Sequence, residues 1–127
     1  MQIPDITEAE WIIMEKLWGK SPQIASKIAK SLHWQTGWAE NTVRTMLGRL
    51  AEKGMLIAVD NPSGVRTFAP AFTREMCVSK EGESFLKRIF QGSAKPLLVH
   101  FASQAKLSPE EVREMKQLLD QKLPKKG

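Results

Sequence analysis

The sequence predicts a mainly α-helical fold with one small β-hairpin, arranged as a winged helix-turn-helix domain followed by a helical dimerisation region. Apolar residues recur at helical spacing in three segments before Gly54. Two short β-rich runs then flank a turn sequence, Asn-Pro-Ser-Gly, and the helical pattern resumes after Pro70. Three helices before a hairpin are typical of a winged helix. We therefore assign residues 1–72 to this DNA-binding type of domain and residues 73–127 to a three-helix dimerisation region.

The composition limits the class of protein. The chain has 127 residues, 42% of them hydrophobic, and a net charge of +5, which fits one globular domain with an appended element. One cysteine excludes an internal disulfide framework, and two histidines without a Gly-rich phosphate loop leave no set of groups for an enzyme, a metal site or a cofactor. No apolar run reaches the length of a membrane span and no secretory signal opens the sequence, so we expect a cytoplasmic protein without a membrane partner.

Helix one is predicted from its two ends. Thr7 and Glu10 form a capping box, in which a hydroxyl and a carboxylate satisfy the free backbone amides of the first turn. An apolar stripe follows over residues 8–18. Gly19 then has the backbone freedom to end the helix in a left-handed conformation.

Helix two is predicted at residues 23–33, after the Ser-Pro break that ends the preceding segment. Helix three is predicted at residues 40–53, and Gly54 is its expected C-cap. It has the most regular apolar spacing in the sequence, at positions i, i+3, i+4, i+7 and i+8. These positions are Val43, Met46, Leu47, Leu50 and Ala51.

The hairpin and the C-terminal helices follow. Residues 56–59 and 65–69 are predicted as two strands around the dense turn sequence. Thr73 is expected to cap a helix that ends at Gly92, and a second apolar stripe comes after it. A capping box with proline at the first helical position, residues 108–111, begins the last helix.

The face of helix three that the apolar stripe leaves free carries side chains suited to reading DNA. Asparagine and arginine form paired hydrogen bonds with adenine and guanine, and threonine bonds to bases or contacts a thymine methyl group. They fall near the start of the helix, where a recognition helix meets base edges. An ordinary solvated face is the alternative, but the helices before and the hairpin after favour DNA. The predicted base-contacting residues are Asn41, Thr42, Arg44 and Thr45.

Phosphate contacts are predicted at the end of helix three and beside the hairpin turn. The alternative for each cation is a surface position without a partner. Net charge does not decide this, because residues 1–72 hold eight Lys and Arg against seven Asp and Glu. The prediction therefore depends on where each of these residues lies in the predicted fold. The predicted phosphate-contacting residues are Arg49, Lys53, Arg66 and Ser63.

The other unusual residues have simpler interpretations than a binding site. Trp11 and Trp18 lie on the stripe of helix one and are expected in the core, rather than as stacking platforms for single-stranded nucleic acid. Trp34 and Trp38 flank the break before helix three. They are expected either to pack in the fold or to influence how helix three is placed. No metal, catalytic or redox site is expected at His33, His100 or Cys77.

The C-terminal helices carry more large apolar residues than a region of this size buries alone. A two-fold dimer would share them in a common core and place two recognition helices about one turn of DNA apart, roughly 34–36 Å, or a multiple of it. We therefore expect a homodimer on a palindromic operator in double-stranded DNA. The predicted dimerisation residues are Phe85, Leu86, Ile89, Leu97, Leu98, Phe101, Val112, Met115 and Leu119.

Several motifs follow one another over nearly the whole chain. They are Ile3-Pro4-x-Ile6-Thr7-x-Ala9-Glu10-Trp11, Met14-x-x-Leu17-Trp18, Ser21-Pro22, Asn41-Thr42-Val43-x-Thr45-x-Leu47-x-Arg49-Leu50-x-x-Lys53-Gly54, Ser84-Phe85-Leu86-Lys87-Arg88-x-Phe90-x-Gly92 and Leu107-Ser108-x-Glu110-Glu111. With them the chain resembles the penicillinase repressors, the BlaI/MecI/CopY family of bacterial transcription factors. The resemblance implies an N-terminal winged helix, a C-terminal dimerisation region and repression by occupying a palindromic operator.

The resemblance also carries expectations for single residues. It places the family's base contacts at Asn41, Thr42 and Thr45. The family often has lysine in place of Asn41 and glutamine in place of Arg44, so the base preference is expected to differ from that of the β-lactam branch. It implies inactivating cleavage by a sensor-linked protease at the His100–Phe101 bond, where the family usually has asparagine first. The C-terminal cysteine cluster of the copper-sensing branch is missing from the sequence.

A dimeric DNA-binding repressor is therefore the leading hypothesis. The alternative is a winged-helix module that binds proteins and has no sequence-specific DNA binding. Under that alternative, charge reversal at Arg44 and Arg49 would leave partner binding intact. A small enzyme is disfavoured because the sequence offers no nucleophile with a base and an orienting group.

Overall fold

The computed structural model describes residues 2–93, 95–104 and 106–122. The described chain is mainly helical with a small antiparallel sheet, and the predicted fold class is confirmed. Its elements in chain order are α1 (Glu8–Gly19), β1 (Gln23–Ile24), α2 (Ala25–Thr36), α3 (Glu40–Lys53), β2 (Leu56–Asp60), β3 (Arg66–Pro70), α4 (Arg74–Phe90), α5 (Lys95–Gln104) and α6 (Pro109–Lys122).

The predicted caps at Thr7, Ser108 and Gly54 are confirmed. The Thr7 hydroxyl accepts a hydrogen bond from the Glu10 amide at 3.1 Å, and the Glu10 carboxylate accepts one from the Thr7 amide at 2.9 Å. Ser108 and Glu111 make the same reciprocal pair before α6. Gly54 ends α3 with a φ of 89°, a left-handed conformation that glycine adopts without strain. Local sequence signals therefore fix where these helices begin and end.

The start of helix two was predicted wrongly. Gln23 and Ile24 form strand β1, which pairs antiparallel with β3 through Phe68 and Thr67, and α2 begins only at Ala25. The sheet has three strands in the order β1-β3-β2. Pairing with β3 satisfies the backbone groups of these two residues, which a first helical turn would leave free.

The end of helix one also differs from the expectation. Gly19 is the last residue of α1, and the C-cap is Lys20 in an extended conformation with a φ of −155°. The side-chain amide of Gln23 donates to the carbonyl oxygens of Lys16 and Lys20, at 3.3 and 2.6 Å. These bonds satisfy the last carbonyls of α1, so a left-handed glycine is not required.

The core of the N-terminal part lies between α1, α2, α3 and the sheet. Trp11 and Trp18 pack against it in an edge-to-face pair with ring centroids 5.2 Å apart, as predicted, and Trp38 also packs against it. Trp34 is 95% exposed, so its expected packing role is wrong. The fully buried side chains of the core are Ile13, Met14, Leu17, Ile28, Leu32, Val43, Leu47, Leu50 and Met55.

The chain divides into two compact units between Gly82 and Glu83. The first unit includes the first turns of α4, because Cys77 is buried in its core. The second contains the end of α4 with α5 and α6. The domain boundary expected at residues 72 and 73 stays a prediction.

Candidate DNA-binding surface

Helix α3 is held by one face and exposed on the other. Val43, Leu47 and Leu50 are fully buried beneath it. All four predicted base-contacting residues are exposed, which leaves the first half of the helix accessible to a ligand as large as a DNA duplex. These residues are Asn41, Thr42, Arg44 and Thr45.

Two side chains of this face make contacts within α3. The Arg44 guanidinium pairs with Glu40, one turn earlier, at 3.0 Å. The Thr45 hydroxyl donates to the Asn41 carbonyl at 2.9 Å, which leaves the hydroxyl oxygen free to accept a further bond. The side chains of Asn41 and Thr42 are exposed. The surface therefore presents both donors and acceptors.

The wing, which comprises β2, β3 and the turn between them, is organised by Asn61, which the sequence places in the turn without predicting the role of its side chain. The side-chain oxygen of Asn61 accepts hydrogen bonds from the amides of Ser63 and Val65, both at 3.0 Å. Gly64 has a φ of 80° in the same turn. This geometry fixes the predicted phosphate contacts Ser63 and Arg66 on the exposed rim of the sheet. An asparagine that begins an Asn-Pro-Ser-Gly turn is the signal that identifies it.

A groove of about 570 Å³ runs between α3, the start of α2 and the wing. Arg44 of α3 and Arg66 of β3 both line it, so a predicted base contact and a predicted phosphate contact share one surface. Gly48, which has no side chain, also lines it. The Arg66 guanidinium is 3.8 Å from Asp60, and both side chains are more than 60% exposed, so this pair is weak. Arg66 is thus available to an anion.

The two remaining predicted phosphate contacts differ from each other. Arg49 is exposed on α3. The Lys53 side chain is 34% exposed, but its ammonium group is bonded to the protein itself, 2.6 Å from the buried Glu10 carboxylate and 3.2 Å from the Asp5 carbonyl oxygen. Burial alone raises the pKa of Glu10, but hydrogen bonds from Lys53 and Thr7 outweigh it and lower the pKa below its ordinary value of 4.5. The carboxylate is therefore charged at neutral pH, and Lys53 is its counter-ion.

In the described part of the chain, neither Cys77 nor a group of potential metal ligands forms a further site. Cys77 is 2% exposed, and burial raises the pKa of its thiol, which keeps it in the less reactive protonated form. Among the described residues no group of His, Cys, Asp and Glu is arranged to hold a metal ion. Within the same residues no helix is long and apolar enough to cross a bilayer.

The predicted dimerisation residues lie in the second unit, at the end of α4 and in α5 and α6. Ile89 is 57% exposed, Phe101 46% and Val112 37%, while Leu97 and Leu98 are half-buried. The side chain of Leu119 lies outside the described part of the chain. His100 and Phe101 are exposed residues within α5. The expected cleavage between them and the expected dimer interface stay predictions.

The sequence is similar to those of known proteins over most of its length. The model of the penicillinase repressor family matches residues 6–121. The penicillinase repressor of Bacillus licheniformis is 29% identical over 120 residues, which cover 94% of this chain and 93% of that protein. The methicillin resistance regulatory protein MecI of Staphylococcus aureus strain N315 is 27% identical, over 93% of this chain and 95% of that protein.

Solved structures agree with this result. The B. licheniformis BlaI monomer in complex with the blaP half-operator superposes with a TM-score of 0.52 and 30% identity, over 58% of this chain and 89% of that chain. MepR, a transcription regulator of a Staphylococcus aureus multidrug efflux pump, has a TM-score of 0.52 at 21% identity over 92% of this chain and 77% of that chain, which supports the fold alone. The chain belongs to the penicillinase repressor family, whose members are DNA-binding transcriptional repressors and not enzymes.

Proposed function

We propose that this chain represses transcription as a homodimer that reads a palindromic operator, with α3 in the major groove and the wing along the phosphate backbone. One observation carries the proposal: the first half of α3 is exposed, and Arg44 on it lines the same groove as Arg66 of the wing. The aligned structure is that of a BlaI monomer on a half-operator. One half-operator per monomer supports two half-sites per dimer.

The residues divide into two roles. Asn41, Thr42, Arg44 and Thr45 contact base edges, because asparagine, threonine and arginine have donor and acceptor patterns that match them. Arg49, Arg66 and Ser63 contact phosphates and fix the register of the protein on the duplex. The exposed apolar residues of the second unit meet those of a second copy. The dimer sets the spacing of the two recognition helices.

The test is selection of random duplex DNA by the purified protein, followed by fluorescence anisotropy on the enriched sequence at two salt concentrations. The expected result is a palindrome with half-sites about one helical turn apart, or a multiple, bound ~10³–10⁷ times more tightly than unrelated DNA. Enrichment of no sequence, with only weak binding that disappears at moderate salt, would contradict the proposal. An enriched single half-site would contradict the dimer alone.

A further inference from the structure

Lys53 is the last residue of the recognition helix, and its charge is used within the protein. We propose that Lys53 is a positioning residue for DNA reading: its ammonium group fixes the C-terminal end of α3 against the start of α1 and contacts no DNA phosphate. This inference rests on the proposed function. It reverses the role that the sequence predicts for Lys53.

The first support is the commitment of the ammonium group. Its nitrogen is 2.6 Å from a Glu10 carboxylate oxygen and 3.2 Å from the Asp5 carbonyl oxygen, which uses two of its three N–H donors. The Glu10 side chain is only 5% exposed. A Lys53 that turned to a phosphate would leave a buried carboxylate without its counter-ion, and such a rearrangement is strongly unfavourable.

The second support is that the Glu10 carboxylate cannot move together with Lys53. The Glu10 carboxylate also accepts the Thr7 amide at 2.9 Å, and the Glu10 amide donates to the Thr7 hydroxyl at 3.1 Å. These capping-box bonds fix the carboxylate at the first turn of α1. The pair with Lys53 therefore joins α1 and α3 at a defined point.

The third support is the segment before α1. Asp5 accepts a hydrogen bond from Lys53 through its backbone and pairs through its carboxylate with Lys80 of α4. Ile3 and Ile6 pack against the core on either side of it. The packing of Ile3 and Ile6 thus holds the segment against the core beside the end of α3, and the exposed Asp5–Lys80 pair adds little to this.

The position of Lys53 explains how it acts at a distance. It follows Thr45 by eight residues and Asn41 by twelve on one helix, so the anchor lies about 12–18 Å along the axis from the base-reading residues. A helix released at one end tilts about its buried face. The tilt displaces the opposite end, where base contacts need defined distances, and it leaves general attraction to phosphate unchanged.

The experiment compares Lys53→Met with a matched variant, Arg49→Met, which removes an exposed cation from the same helix. Anisotropy measures binding of the full chain to the selected operator and to a scrambled duplex over a range of salt, and thermal unfolding measures stability. For Lys53→Met we expect selectivity for the operator to fall about fivefold or more, as one lost base contact gives. Its binding to the scrambled duplex and its salt slope are expected to be unchanged. For Arg49→Met we expect weaker binding to both duplexes and a salt slope smaller by about 0.9 per protomer.

Two results would overturn the positioning role. A salt slope reduced by about 0.9 per protomer in Lys53→Met would make Lys53 a phosphate contact. A lower melting temperature with unchanged selectivity of the folded protein would make the pair structural only.

A second variant keeps the test decisive if Lys53→Met does not fold. Glu10→Gln retains an oxygen for the Thr7 amide and removes the charge. The positioning role predicts that Glu10→Gln loses as much selectivity as Lys53→Met. It predicts no further loss in the double variant that carries both substitutions. A phosphate role predicts instead that Glu10→Gln raises the affinity for both duplexes, because the released Lys53 would be free to contact phosphate. Absence of selective binding by the unsubstituted chain would contradict the proposed function, and the positioning role with it. Non-additive melting temperatures of the variants would then show a structural pair only.

Discussion

Replacing Arg44 by alanine is expected to weaken binding at one base pair of each half-site and to leave the fold intact. The Arg44–Glu40 pair joins side chains that are 53% and 48% exposed, one turn apart on α3. Such a surface pair contributes only about 0.3–0.5 kcal/mol to stability. A paired contact from arginine to guanine is worth about 1–3 kcal/mol, roughly a 5- to 150-fold change in affinity. The loss of DNA contact therefore outweighs the loss of stability.

The assay is anisotropy titration of Arg44→Ala against the selected operator and against duplexes changed at one base pair at a time. The variant is expected to lose discrimination at one position and to keep it at the others. Glu40→Gln is the matched control, because it releases Arg44 and removes a negative charge from the face toward DNA. It is expected to raise affinity slightly, by about 0.3–0.5 kcal/mol. An equal loss for Arg44→Ala on every duplex would refute base reading by this residue.

Three further outcomes are expected. Leu98→Asp or Phe101→Asp is expected to convert the dimer to monomer in sedimentation and to lower operator affinity, and an unchanged dimer mass would remove these residues from the interface. Arg66→Ala is expected to reduce the salt slope by about 0.9 per protomer, and an unchanged slope would separate the wing from the phosphates. Since the pKa of Glu10 is lowered by folding, its stabilisation is complete above the ordinary value of 4.5 and is lost as the pH falls through the folded-state pKa. Glu10→Gln is expected to flatten this part of the stability curve in urea titrations, and an unchanged curve would contradict the assignment.

Most of the fold was predictable because its signals are local. The α3 bounds agree with the prediction at residues 40–53, since apolar spacing and the Gly54 cap both lie within the helix or beside it. Strand β1 was not predictable in this way. Gln23 pairs with Phe68, and two residues that are extended only because of a distant strand carry no local pattern.

The direction of single side chains was less predictable than the elements that carry them. Trp34 and Trp38 flank the same break, yet Trp38 packs against the core and Trp34 is 95% exposed. Helical spacing does not predict which of the two is buried, because Trp34 lies within α2 and Trp38 lies beyond its end. The exposure of the proposed base-reading face of α3 was predictable, since a regular apolar stripe defines its opposite face as well.

Arg49 and Lys53 show where the sequence stops determining function. Both are basic, both lie on α3, and helical spacing places them on neighbouring parts of its surface. The sequence therefore assigns both to phosphate, each adding about 0.9 to the salt slope of a protomer. The structure separates them by a partner that is distant in the chain: the Glu10 carboxylate is buried and charged, and only Lys53 reaches it. Because a buried charge needs its counter-ion more than a solvated phosphate does, the interior of the protein takes precedence over the ligand for this one cation.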